Sequence, residues 1–569
     1  MLLLATLAGV LAGCGSSHSG GTSADPAGAA PASTPLYVGA TVKPTGSQQT
    51  AALAAGRALT HQSDPYLRLL NALQPPGSPP LDFKSEVEPW LGPHAATFLS
   101  SLSSSGSLLA LLQQGLLGSG STAGALPFGA GGVQGAIVMD TSDASKAQSF
   151  LNSEAARAGA HATSYRGVSY QATSAGVAYG IVQRFAVIGS ESGLRSVIDT
   201  TLGGPSLADA SGYKTLLASA PSEALAHIYS NPASAKERKP TNAGESTTPE
   251  GLSSLLALLA GEREANVSLV PAASSITLDA DTLSPASESK SGGLLSASAQ
   301  GAKTLAELPG ESWFAVGLGD VSQTLASDVQ GLRGLVAIAG ASPEGSTSGT
   351  LNLKGLLEGL FTPLGILGAD SAQAKRDFRS WMGTAGIFAS GASLLELKGA
   401  VVIESRNPGL SRAAVRELGE QLRKSGASLE AASIAGADAA IGVRLPGLPV
   451  VMDIADGRSS SGQTKFVLGL GEASVTTALD PPNMLSGAAS YSAASSALGE
   501  GIQPSILFDF PTFLSLLEGV GLSEDPTIAK FIPYLRTLTT LAGGGRSLGG
   551  ELERFKLILG LTPASPAGG

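Results

Sequence analysis

One cysteine in 569 residues excludes an internal disulfide framework and any multi-cysteine metal site, so the domains of this chain must be held together by burial alone. Charge is also scarce, at 14% of residues against about 25% in typical soluble domains. The 35 basic residues are scattered among 45 acidic ones, giving a net charge of −10. Such a chain offers no Lys/Arg surface for phosphates, and no nucleic-acid partner is expected. Histidine is rare too: His18, His61, His94, His161 and His227 lie far apart, and no two stand at metal-ligand spacing. No metal and no cofactor are therefore expected. His227 alternates with Ile228 on a predicted strand and reads as a structural residue.

Catalytic motifs are equally sparse. The serine elbow, G-x-S-x-G, is read as absent from the chain, and no Walker A, EF-hand or H-E-x-x-H pattern is read. S-x-x-K is spelled at Ser211–Lys214 and Ser287–Lys290, as chance gives in a Ser-rich chain, without the partners of a penicillin-binding site. Gly469-Leu470-Gly471 lacks the third glycine of a phosphate-binding turn and reads as a tight strand-to-helix link. In the first half Gly189-Ser190-Glu191 takes that place, with Ser190 or Glu472 stabilising a helix start. No catalytic residue is assigned.

What the chain does have begins at its amino terminus. Leu2 to Gly13 is a short apolar run, long enough for a signal-peptide core and short of the roughly 20 residues a spanning helix needs. It ends in Leu11-Ala12-Gly13-Cys14, which resembles the lipobox of bacterial lipoproteins, although Met1 runs straight into leucines with no basic stretch. That resemblance implies cleavage before Cys14, acylation of its sulfur, and anchoring in membrane lipid on the outer face of the cytoplasmic membrane. Residues 14–35, rich in Ser, Gly and Ala, read as a flexible tether with a reach on the order of 25 Å.

The body repeats itself. Leu36-Tyr37-Val38-Gly39-Ala40 reads like Trp313-Phe314-Ala315-Val316-Gly317, and the Trp90-Leu91-Gly92 context recurs at Trp381-Met382-Gly383. Gly135–Met139 matches Gly399–Ile403, Arg184–Gly189 matches Lys465–Gly469, and Tyr213 pairs with Tyr491. Order is kept while spacing drifts, as in a duplication with insertions. The expected fold is α+β: two homologous tandem units, each a mainly antiparallel sheet with helices packed on it. The divisions are a signal peptide at 1–13, the tether at 14–35, units at 36–290 and 305–562, a linker at 291–304, and a disordered tail at 563–569. Tyr165-Arg166-Gly167-Val168-Ser169-Tyr170 alternates its larger residues with period two and reads as a strand.

The lipobox and tether, the Tyr37-Val38 strand, the motif around Trp90, the Tyr165–Tyr170 hexapeptide and the Phe185–Gly189 strand together resemble domain-of-unknown-function family 3352, exported actinobacterial proteins. The second unit lacks the Tyr-x-Gly-x-x-Tyr element. No activity accompanies that family, so the resemblance implies architecture and address and no catalytic residues.

Several helical segments are apolar with few charges. Leu353, Leu356, Leu357, Leu360, Phe361 and Leu364 recur at helical spacing, and Leu108–Leu117, Leu252–Leu259 and Phe513–Leu522 are similar. They read as core-facing helices, or as the lining of a groove for an acyl chain. The expected function is non-enzymatic binding or scaffolding in the cell envelope, with an envelope protein or a lipid as partner. The alternative is a carrier or sensor of a lipid-like ligand, and the third reading an unrecognised envelope enzyme.

Overall fold

The computed structural model describes residues 24–61, 82–100, 128, 134–236, 263–283, 298–326, 328–329, 362–369, 371–393, 395–444, 451–519, 521, 523 and 526–563. The chain divides into two compact units, one ending at Ser284 and the other spanning Pro285–Thr562. Each is α+β, and every strand pairing within each is antiparallel.

In the first unit the strands are β1 (Leu36–Thr41), β2 (Leu91–Leu99), β3 (Gly135–Thr141), β4 (His161–Tyr165), β5 (Val168–Ala172), β6 (Val177–Val182), β7 (Phe185–Ser190), β8 (Ala226–Ser230), β9 (Glu264–Ala272) and β10 (Ser275–Leu283). They hydrogen-bond in the order β4-β5-β6-β7-β3-β2-β1-β8-β9-β10. The main helices are α1 (Gly46–Thr60), α2 (Ala144–Arg157), α3 (Glu191–Thr201) and α4 (Ser211–Ser219). Asp143 caps α2 through the Ser145 and Lys146 amides, and Ser190 caps α3 through Gly193.

The second unit contains α5 (Ala299–Ala306), β11 (Ser312–Asp320), α6 (Ala372–Asp377), β12 (Met382–Ser390), β13 (Lys398–Ser405), α7 (Pro408–Lys424), β14 (Ser428–Ala431), β15 (Ala437–Arg444), β16 (Met452–Arg458), β17 (Thr464–Leu470), α8 (Glu472–Leu479), α9 (Ala489–Leu498), β18 (Ile506–Asp509), α10 (Phe510–Gly519), β19 (Leu538–Gly549) and β20 (Leu552–Leu561). Its strand order is β14-β15-β16-β17-β13-β12-β11-β18-β19-β20. Asn407 caps α7, with Pro408 preset for the first helical turn. The core gathers Leu305, Phe388, Val402, Val467, Val475, Leu507 and Ile558 between the sheet and α5, α8 and α9.

Three expectations need correction. Residues 25–35, expected in the tether, are folded: Asp25 caps a short Pro26–Gly28 turn, Ala27, Ala29 and Ala30 are fully buried, and Pro31 bridges to Ser206. Their small side chains mimic linker composition but let the backbone pack closely. Residues 299–304, expected in the linker, begin α5, capped by Ser298, and Leu305 enters the core. Tyr165–Tyr170 is no single strand. Arg166 (φ 49°) and Gly167 (φ 84°) make the two-residue turn of the β4–β5 hairpin. The alternation spans both arms of the hairpin, which is why it reads as one strand.

Candidate functional site

Cys14, the lipobox residues Leu11, Ala12 and Gly13, and the groove residues Leu353, Leu356, Leu357, Leu360 and Phe361 all lie outside the described residues. The helical series resumes at 362–367, where Leu364 and Leu367 are buried. Of the other apolar runs, α10 is described: Phe510, Leu516 and Leu517 are buried, and Phe513 lies 5.2 Å from the rings of both Trp313 and Phe508. It is a core-facing helix.

The opposite side of helix 362–367 opens onto a cleft of about 480 Å³ within the second unit. Thr362, Gly365, Ile366 and Ala369 form one wall; Glu417, Gln421 and Lys424 of α7 form the other; Ser371, Gln373 and Ala374 close it. The first wall follows i, i+3, i+4 along the helix and continues past its end to Ala369, and the second follows i, i+4, i+7 along one face of α7. Gly365, Ala369 and Ala374 are too small to fill the space between them. Gln421 donates to Glu417 Oε1 at 3.3 Å, and Lys424 has no carboxylate partner among the described residues. These polar residues sit on the amphipathic α7 segment, yet nothing in the sequence marks them, because the opposing wall is far away in the chain.

A second cluster lies inside the first unit. Cross-strand register sets Tyr37, Tyr229, Asn266 and Asp281 in one row across β1, β8, β9 and β10. Gly39, His227 and Ser268 begin the next row. The rows face α4: Tyr213 lies 5.8 Å from Tyr37 and 5.2 Å from Tyr229, edge-on, and its hydroxyl is 3.0 Å from His227 Nε2. Tyr229 donates to Glu264 at 2.5 Å, and Ser219 donates to Asp281 at 2.6 Å. Asn266, 1% exposed, leaves its Oδ1 without a partner among the described residues. Burial pushes the His227 imidazole down to about 4, opposed by Asp25 and reinforced by His94. Burial also raises Tyr37, Tyr213 and Tyr229. The signal for this cluster was present, since Glu264, Asn266 and Ser268 alternate along an otherwise apolar strand. In the second unit the row across β11, β18, β19 and β20 is Ala315, Leu507, Ala542 and Ile558, all core residues.

The remaining polar groups tie elements together. Trp90 and Trp381 are buried, each donating Nε1–H to the carbonyl four residues earlier, Glu86 at 2.7 Å and Asp377 at 3.0 Å. Trp90 packs on Phe150 and Trp381 on Phe466. Tyr170 donates to Glu191, and Arg195 donates to both, which pins the β4–β5 hairpin to α3. Ser411 donates to the buried Asp456, whose carboxyl burial pushes up. Asp328, 3% exposed, is pushed up to about 6 by burial against a Thr324 hydrogen bond.

G-x-S-x-G is in fact spelled once, at Gly545–Gly549, but Ser547 is an exposed residue of β19 paired with Glu553, with no strand-to-helix turn to make it an elbow. Gly471 (φ 77°) makes the tight link from β17 to α8 without a side-chain cap, while Ser190 caps α3. Among the described residues no group of three His, Cys, Asp or Glu gathers as a metal site, and no helix is long and apolar enough to cross a membrane.

Residues 1–540 match the family described as protein of unknown function DUF3352. The chain belongs to this family. No curated protein and no solved structure matches it. For a DUF3352 protein, then, the polar cluster and the cleft rest on their own chemistry.

Proposed function

We propose that this DUF3352 protein is a lipid-anchored protein of the bacterial envelope, built of two copies of one unit, that acts by binding or scaffolding without catalysis. The observation that carries the two-copy part of the reading is the strand order. Ten strands pair in one sequence of neighbours in the first unit, and their ten counterparts pair in the same sequence in the second.

Finer features support duplication. Trp90 and Trp381 make the same bond, and each backbone carbonyl accepts an N–H at 2.8 Å, from Ser142 and Arg406. The isolated bridges Pro31–Ser206 and Pro309–Met484 correspond. Register also adjusts the sequence pairing of β1 with β11 by one residue. Tyr37 sits between Phe98 and Tyr229 as Ala315 sits between Phe388 and Leu507, which sets Gly39 with Gly317.

The non-catalytic reading rests on what the polar groups do: they cap helices, pin hairpins and clamp strands. The carrier reading gains less support, because the cleft presents more polar than apolar side chains. Anchoring by acylated Cys14 is tested by Cys14→Ser. Release from membranes, or accumulation of a heavier precursor, is expected; unchanged fractionation and mass would refute the anchor. Turnover in a broad hydrolase screen, abolished by a single substitution, would refute the non-catalytic reading.

A further inference from the structure

We propose that the second unit rests on a bilayer surface through an apolar patch at the last turn of α10, so that the anchored protein touches the membrane a second time. The proposal rests on the anchored reading and names the surface that the second unit meets. Among the described residues six large apolar side chains are exposed, and three of them, Leu395, Phe531 and Tyr534, belong to two segments that adjoin this turn. On one side the β12–β13 link passes Gly519, where a Cβ would stand 3.7 Å from the Ala392 carbonyl oxygen. On the other side Arg536, the last residue of a short helix Ile532–Arg536, pairs with Glu518 at 2.9 Å. Both segments are fixed at their bases. Trp313 donates Nε1–H to the Gly391 carbonyl at 3.0 Å, and a Ser393–Glu396 turn closes at 3.2 Å, which leaves Leu395 100% exposed. Ile532 is buried, while Phe531 and Tyr534, three residues apart on the same turn, are 40% and 37% exposed.

Exposed apolar side chains scattered singly need no explanation, but three gathered around one turn do. Three observations favour a lipid surface over a protein one. The patch is small: with aromatic side chains of about 150–250 Å² each, its exposed apolar area is about 300 Å², well short of the roughly 800 Å² per partner of a standard protein interface. Its make-up is interfacial, because Phe531 and Tyr534 are flanked by the exposed Lys530 and Arg536, and aromatic rings beside basic side chains settle where hydrocarbon meets headgroups. Its reach is short, since Asp25 already caps a folded turn of the first unit eleven residues after Cys14, at most about 40 Å of extended chain. The second unit continues from the first at Pro285, so the anchor raises the effective concentration of the patch at the bilayer, and a contact too weak to bind alone still forms. Among the described residues of these segments Lys398, Lys530 and Arg536 stand against Glu396 and Glu518, so charge nearly balances. The patch therefore fits the apolar boundary of a zwitterionic bilayer and requires no headgroup charge.

Cys14 is the chain's only cysteine and acylation blocks its sulfur, so Leu395→Cys or Phe531→Cys carries a polarity-sensitive nitrobenzoxadiazole label at one place. Leu410→Cys and Met484→Cys, 42% and 52% exposed elsewhere in the same unit, are the controls. The full chain is reconstituted on phosphatidylcholine vesicles. Labels at 395 and 531 are expected to shift to the blue and to be quenched by nitroxide-bearing lipid. Insertion of about 5–10 Å into the boundary between headgroups and acyl chains should also make them at least about threefold less quenched by aqueous iodide than labels at 410 and 484. Unchanged circular-dichroism melting identifies folded variants, and Tyr534→Cys replaces Phe531→Cys if the latter melts early. Equal iodide quenching at all positions would overturn the proposal. A blue shift without vesicles that grows with protein concentration would place a second copy on the patch and overturn it as well. A failed anchor reads differently: the parent chain then takes label at Cys14 and stays in the supernatant. In that case the same positions are compared on the Cys14→Ser background with vesicles in excess, where protection at 395 and 531 upholds the contact and its absence overturns it.

Discussion

Gly193 tests whether helix α3 is held where close packing on β3 requires. By helix propensity alone, Gly193→Ala should stabilise a helix interior by about 1 kcal/mol. The structure argues the opposite. A Cβ at Gly193 would stand 2.1 Å from the Gly135 carbonyl oxygen, 2.4 Å from its carbon and 3.0 Å from its Cα. All three are backbone atoms, and ordinary contact is about 3.5–4.0 Å. No rotamer change relieves the clash, so α3 must lift off the strand. Lifting also strains Ser190 Oγ, which joins the two elements by accepting from the Gly135 amide at 3.1 Å and the Gly193 amide at 3.0 Å. Overpacking of this kind costs about 1–3 kcal/mol net of local gains. The matched control is Gly409→Ala, near the start of α7, where the nearest atom to a new Cβ is Asn407 Oδ1 at 3.5 Å. That change should be neutral or stabilise by up to about 1 kcal/mol. Urea unfolding followed by circular dichroism reads both. A midpoint for Gly193→Ala equal to or above that of the parent would refute the packing argument.

Three further outcomes are expected. Trp90→Phe and Trp381→Phe should each cost about 1–3 kcal/mol, since each removes a part-buried hydrogen bond from a fully buried ring and the packing of its larger side chain; losses under about 0.5 kcal/mol in denaturant unfolding would contradict the clamp. His227 titrates near 4 when folded against about 6.5 when unfolded, so the unfolded chain binds the extra proton in that window and stability falls as pH drops through it. The contribution is at most about 3 kcal/mol, and His227→Gln should flatten this part of the pH–stability curve; an unchanged slope would show that the groups around it, Tyr37, Tyr213, His94 and Asp25, do not make it matter. Lys465 donates to the last carbonyls of α8, Ala478 at 3.0 Å and Leu479 at 2.9 Å, so Lys465→Met should lower the melting temperature while Lys465→Arg retains most of the stability.

Local signals gave the elements well. Ser190 marked the start of α3, and the internal matches Gly135–Met139 with Gly399–Ile403 and Arg184–Gly189 with Lys465–Gly469 marked β3, β13, β7 and β17. Three misreadings share a cause, which is that composition and periodicity report only local preference. Pro26 to Ala30 has linker composition but packs as buried backbone. Arg166-Gly167 reverses a run whose alternation hides the turn. Ala299 to Thr304 follows a Ser-rich stretch of linker composition yet begins α5 behind the Ser298 cap.

By itself the sequence determined the α+β class, the positions of several strands, the family resemblance, and the lipobox-like segment at Cys14, because each depends on residues close together in the chain. Tertiary structure alone decided which face of each strand is covered. It set Tyr37, Tyr229 and Asn266 in one buried polar row and Ala315, Leu507 and Ala542 in an apolar one. It also brought Thr362, Ile366 and Ala369 opposite Glu417, Gln421 and Lys424 across an open cleft. The physical reason is that sheet register and helix-on-helix approach are fixed by packing between distant segments, which no local pattern encodes.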